Sequence, residues 1–207
     1  MTGPQTIHLA VYDTFADWEC AFAVAHLNQP DWQRQPGRFR VVTVAETAAS
    51  VTSMGGLRVT PDVVLADLRP EGSAMLILPG ANTWLTGGNL AFAEAARRFL
   101  DVGVPVAAIC GATGGLAVAG LLDDRDHTSN AAEYLAGLGY AGGDRYRDEP
   151  AVTDGDLITA SATAPVEFAR EIFARLDVYE PGVLASWYQL YGEHDPAGYY
   201  GLAGAEA

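Results

Sequence analysis

Cys110 stands where the apolar run Val104-Pro105-Val106-Ala107-Ala108-Ile109 gives way to Gly111-Ala112-Thr113-Gly114-Gly115-Leu116-Ala117-Val118-Ala119. The run reads as a buried strand and the small-residue stretch as a helix, so the thiol falls on the corner between them. A tight turn of small residues lets a side chain stand clear of the sheet. The N–H groups that open the helix favour negative charge, which is expected to lower the thiol's pKa. The chemistry implied is nucleophilic, with the thiolate as the attacking species. The same stretch also fits a cysteine filling a core as a small apolar group, or a Gly-rich turn cradling a phosphate. For the phosphate reading the residues are wrong: no lysine follows the glycines, and Gly111 to Gly115 does not spell the dinucleotide fingerprint.

Chemistry at Cys110 needs partners, and in an open α/β sheet the loops after parallel strands converge on one crevice. Glu19, Gly80 and Cys110 all follow predicted strands. Glu19 has two readings. It is either a solvated carboxylate complementing a helix dipole, or a buried acid whose raised pKa keeps it protonated and donating to sulfur. The N–H groups of Gly80 and Gly111 form a candidate oxyanion pocket, the alternative for Gly80 being a plain strand-ending turn. Asp17 has a structural task, since Thr14-Phe15-Ala16-Asp17 carries capping-box spacing. Cys20, inside an apolar helix, reads as core filling. His8 and His26 read as structural, while His127, opening a predicted strand, and His194, in a polar turn, each fit a surface imidazole. With histidines scattered singly and no CxxC, neither a metal site nor a cofactor is expected.

The elements that would position these residues alternate strand and helix throughout, which predicts a mostly parallel sheet covered on both faces. Strands are expected at 7–12, 39–45, 75–78, 104–109, around 152 and at 157–159, with a Gly55-Gly56 hairpin joining 50–54 to 57–60. Helices are expected at 18–27, 89–101, after Cys110, after Asn130, at 165–176 and at 181–191, the last amphipathic and packing either on its own domain, the commoner outcome, or on another subunit. The residues from Asp195 on, rich in Gly, Ala and Tyr, read as loosely ordered.

With 207 residues, 49% of them hydrophobic, the chain suits a single domain over 1–207 ending in a helix at about 181–192. A net charge of -14 disfavours nucleic acid and anionic membranes as partners. No apolar stretch is long enough to cross a bilayer, and Met1-Thr2-Gly3-Pro4-Gln5-Thr6 lacks a signal core, so a cytoplasmic location is expected. In that compartment Cys20 and Cys110 should stay unpaired.

Several segments taken in order resemble the ThiJ/PfpI family of the class I glutamine-amidotransferase-like superfamily. They are Tyr12-Asp13-Thr14-Phe15-Ala16-Asp17-Trp18-Glu19, Leu78-Pro79-Gly80, Ala108-Ile109-Cys110-Gly111-Ala112-Thr113, Ala119-Gly120-Leu121-Leu122-Asp123, Thr128-Ser129-Asn130 and Ser161-Ala162-Thr163-Ala164-Pro165-Val166-Glu167-Phe168-Ala169. The resemblance implies an α/β, flavodoxin-like three-layer sandwich with a mostly parallel central sheet, an elbow cysteine at Cys110, a protonated acid at Glu19 and a homodimer. It implies a cysteine-dependent hydrolase, hydratase or glyoxalase-type enzyme acting on a small electrophilic molecule. The alternative it carries is a stress protein that works through oxidation of Cys110. Isonitrile hydratases of the family place an acid near the end of strand one, which brings in Asp17 beside Glu19. Hydrolytic and glyoxalase-like members often have a histidine after a Thr-Ser pair; here that place is Asn130, which can orient water or a carbonyl but cannot act as a base.

Overall fold

The computed structural model describes residues 3–204. Along the chain it runs β1 (Gln5–Ala10), α1 (Asp17–Asn28), β2 (Phe39–Ala45), β3 (Val51–Thr52), β4 (Arg58–Val59), β5 (Val63–Val64), β6 (Ser73–Leu78), α2 (Asn82–Leu85) and α3 (Leu90–Asp101). It continues with β7 (Val106–Ile109), α4 (Gly111–Val118), α5 (Ala132–Ala136), β8 (Ala151–Asp154), β9 (Leu157–Ala160), α6 (Pro165–Arg175), α7 (Pro181–Tyr191) and α8 (Ala197–Gly204).

Continuous apolar runs go to the middle of the sheet. Met75 to Leu78 and Val106 to Ile109 have no exposed surface, as strands covered on both faces must. The seven-stranded sheet has the order β5-β2-β1-β6-β7-β9-β8. Every pairing in it is parallel except β8 with β9. The chain winds from β1 outward to β2, then returns to β6 on the other side of β1 and winds outward again to β7 and β9. Right-handed crossovers in these opposite directions place α1 and α3 on opposite faces, which yields the flavodoxin-like three-layer arrangement. On one side α1, α6, α7 and α8 pack on one another; on the other α2, α3, α4 and α5 do so. The reversal lies between β1 and β6, and their carboxyl ends open the crevice where ligands bind in such sheets.

Three sequence expectations are corrected. The capping box does not form: α1 is capped by Ala16 without a side-chain bond, and Thr14, with φ 64°, turns its hydroxyl to accept from the Asn82 N–H. The segment at His127 is no strand, making only one bridge to Tyr146. Nor is the chain from Asp195 on loose over its described part, where α8 lies against α7 with Leu202 fully buried. The glycines that suggested looseness are what permit that packing, because a Cβ on Gly198 would lie 2.4 Å from the Ser186 carbonyl oxygen, and one on Gly201 2.2 Å from its hydroxyl. Residues 205–207 lie outside the described part. Helix α7 packs on its own chain through the buried Trp187. Among the described residues no helix is long and apolar enough to cross a membrane.

The glycines of α4 have a packing cause as well. A Cβ on Gly115 would lie 2.1 Å from the Trp84 ring, which its own hydrogen bonds to Tyr12 Oη (2.9 Å) and the Pro79 carbonyl (3.1 Å) hold in place. Alanine gains about 1 kcal/mol over glycine in a helix, whereas overpacking against a fixed ring costs roughly 1–3 kcal/mol. G115A should therefore lower stability in urea unfolding; equal or greater stability would show that the ring can yield.

Candidate active site

Strand β7 delivers Cys110 to the carboxyl edge of the sheet, where it takes φ 59° and ψ -126°. A side chain other than glycine resists that conformation, at a cost of order 1–3 kcal/mol, and persists there only if its surroundings fix it. Here they do. The Cys110 N–H donates to the Ala160 carbonyl (3.0 Å), and its own carbonyl accepts from the Thr113 N–H (3.1 Å) and hydroxyl (2.6 Å). The Thr113 hydroxyl in turn meets Ser129 Oγ at 2.6 Å, which ties the elbow to the loop carrying Asn130.

Three other elements reach the sulfur. From the first turn of α1, Glu19 is wholly buried; its Oε2 accepts from the Gly80 N–H at 2.6 Å, while Oε1 has no partner. From the turn after β6, Gly80 holds the place between acid and thiol. A Cβ there would lie 2.8 Å from Glu19 Oε2 and 2.9 Å from Cys110 Sγ, so only glycine lets the two groups close on one another. That turn is fixed by Tyr12 Oη, which donates to the Pro79 carbonyl, and by the Ala16 N–H, which donates to the Gly80 carbonyl (2.8 Å). From the loop before α5, Asn130 Nδ2 donates to Sγ at 3.3 Å. Its Oδ1 accepts from the Ala162 N–H (2.9 Å), which fixes which end of the amide faces sulfur.

Cys110, Glu19, Gly80, Gly111 and Asn130 thus meet, lining one cavity of about 320 Å³. Two details differ from expectation. The Gly80 N–H is not free for an oxyanion, because the Glu19 carboxyl occupies it. Asp17 is not at the sulfur: its carboxylate accepts from Ser53 Oγ (2.5 Å) and the Gly55 N–H (3.1 Å), pinning the β3–β4 hairpin to α1. The Gly111 N–H and the Asn130 amide remain as donors.

The thiol's pKa moves opposite to expectation. Burial, reinforced by the Glu19 charge, pushes Cys110 up to about 11, against the Asn130 amide and the Gly111 N–H. Burial likewise pushes Glu19 up to about 7, against the bonds from Gly80 and Cys110. A single helix amide cannot offset the removal of water from sulfur. Near neutral pH the thiol therefore keeps its proton, and ionised Glu19 is the group beside it able to take that proton.

No imidazole shares this work. His127 is fully buried rather than on the surface, with Nδ1 against the Arg125 carbonyl (2.7 Å) and Nε2 against Tyr140 Oη (3.1 Å). His8 meets Ser73 Oγ through Nδ1 (2.7 Å), and His26 is enclosed by Trp32, Phe173, Trp187 and Tyr191. His194 is exposed. Cys20 is buried and, like Cys110, free; burial holds its pKa at about 12. Sequence reasoning missed the Ala162 N–H, Tyr134 and the apolar mouth of Trp18, Met54 and Leu85. Only Trp18, adjacent to Glu19, had a signal to follow.

Because protonated Glu19 cannot accept the thiol proton, alkylation of Cys110 by a neutral reagent should rise with pH and inflect near 7, the Glu19 value. In E19Q that inflection should vanish, the rate following the thiol's own ionisation instead. Intact-mass kinetics measure both; identical profiles for the two proteins would remove Glu19 from the proton path.

Residues 5–175 match the DJ-1/PfpI family. The chain is 38% identical over 201 residues to a protein of Bacillus subtilis (strain 168) named uncharacterized protease YoaZ, covering 96% of both. Among solved structures it resembles a thiJ/pfpI family protein from Bacillus anthracis, at 39% identity and TM-score 0.91 over 99% of both chains. It also resembles a DJ-1 superfamily protein from Agrobacterium tumefaciens, at 36% identity and TM-score 0.81, over 92% of this chain and 99% of that one. Sequence and fold agree over nearly the whole length: this chain belongs to the DJ-1/PfpI family.

Proposed function

We propose that this protein is a cysteine-dependent enzyme of hydrolase, hydratase or glyoxalase type acting on a small electrophilic molecule, with Cys110 as nucleophile and Glu19 as proton carrier. The observation that carries this reading is the strained elbow that sets Sγ beside a buried acid with a raised pKa and a fixed amide donor. As sulfur attacks a carbonyl carbon, the S–H proton passes to Glu19, the C–S bond forms and the C=O electron pair moves to oxygen. The Gly111 N–H and Asn130 Nδ2 serve as donors for that oxygen. Glu19 then returns the proton to the oxyanion or to the leaving group, and in hydrolysis water releases the product. The relative named uncharacterized protease supports the hydrolytic branch. We take the working form to be a cytoplasmic homodimer of single-domain chains, acting without nucleic acid or membrane.

The lack of an imidazole at the sulfur favours a second reading, in which the same donors stabilise Cys110 as a sulfinate. Two peroxide molecules then convert the thiol to the sulfinic acid and leave as two waters.

Wild type and C110S should be compared on a panel of methylglyoxal, a simple amide and an isonitrile. The enzyme reading expects turnover of at least one class, lost on the order of a hundredfold or more in C110S. Turnover that survives the substitution contradicts it. No turnover of any class, with two oxygen atoms gained at Cys110 under mild peroxide, supports the oxidative role instead.

A further inference from the structure

We infer that the mouth of the Cys110 cavity is a recognition site for the apolar arm of an uncharged substrate, with Trp18, Met54 and Leu85 setting that preference. The inference deepens the proposed function and rests on Cys110 being reactive. These three side chains are 47%, 44% and 67% exposed, large apolar groups left in water yet gathered at one opening. They come from three separate places, the first turn of α1, the tip of the β3–β4 hairpin and the end of α2. The fold spends specific contacts on bringing the hairpin tip there: the Met54 N–H donates to the Phe15 carbonyl (2.8 Å), the Thr52 N–H to Asp13 Oδ1 (2.9 Å) and Ser53 Oγ to Asp17 (2.5 Å). Exposed apolar side chains gathered around one cavity are the mark of a binding surface.

The charge of the ligand follows from the rest of the lining. Among the described residues Glu19 is the only charged one around the cavity, and none of the twelve arginines lines it. Asn130 is shared with a neighbouring cavity of about 390 Å³ lined in part by Asp148, Glu149 and Glu167, so the field on both sides of the amide is negative. An anionic substrate would find no cationic partner and would face repulsion. Glu19 Oε1, fully buried and without a hydrogen-bond partner among the described residues, points independently to a ligand, because a polar group brought in from outside would satisfy it. The occupant that satisfies all of this has a compact polar electrophilic head at Cys110 and Glu19, an apolar arm along the mouth and no negative charge.

Alkylation by iodoacetamide, N-phenyliodoacetamide and iodoacetate tests this without knowledge of the natural reaction. In each case sulfur bonds to the methylene carbon, iodide leaves and the thiol proton goes to Glu19 or water. Rates at Cys110, assigned by peptide mapping and divided by each reagent's rate with glutathione, should rise about tenfold for the phenyl reagent over iodoacetamide and fall about tenfold for iodoacetate. L85S and M54S should each cut the phenyl advantage severalfold while leaving iodoacetate disfavoured. Equal normalised rates in wild type would overturn the inference and leave the reactive cysteine standing. So would an undiminished phenyl advantage in both variants accompanied by a change in particle size on gel filtration, which would give the mouth to a second copy of the chain. A Cys110 inert to all three reagents would remove the proposed function together with the inference.

Discussion

A carboxyl group with no exposed surface and a single backbone hydrogen bond is costly to keep ionised, and Glu19 is such a group. The Gly80 N–H recovers only part of the lost hydration, so the acid binds its proton more tightly, up to about 7. Much of the local structure serves to hold it there. The Pro79–Gly80 turn that supplies its hydrogen bond is itself gripped by Tyr12 and Trp84, and Trp84 is seated against Gly115 of the helix that follows the cysteine. Acid, turn and elbow are therefore one packed unit, in which movement of any part moves the others.

The elbow gives that acid its partner. Cys110 is held at positive φ by bonds from Thr113 and to Ala160, and the same Thr113 hydroxyl reaches the loop of Asn130. The thiol is therefore aimed by the backbone rather than activated by a neighbouring imidazole. Its pKa is raised, not lowered, which makes the resting sulfur a protected thiol. Activation then depends on proton transfer within the pair.

Much of the fold was legible because it rests on local pattern: the unbroken apolar runs before Pro79 and Cys110 could only be central strands, and the Gly55-Gly56 hairpin announced its own turn. The convergence of Glu19, Gly80 and Cys110 followed from strand ends and topology alone. What was not legible came from contacts distant in sequence. Thr14 was drawn from capping to Asn82, Asp17 was taken by the hairpin, and the Gly80 N–H was taken by Glu19, each a competition decided in three dimensions. Helix α8 was hidden because glycines that weaken a helix alone strengthen its packing on α7. The direction of the Cys110 shift was hidden because burial, which no local motif reveals, outweighs the helix end.

Proton transfer at Cys110 turns on the ionisation of one side chain. Isotope-edited infrared titration of glutamate-labelled protein, with the Glu19 carboxyl band identified by its loss in E19Q, observes it directly. With Glu19 as the proton carrier, a protonated carboxyl band should disappear with a midpoint near 7. A midpoint in the ordinary carboxylate range, below about 5, would make Glu19 a fixed charge at neutral pH and would contradict the account.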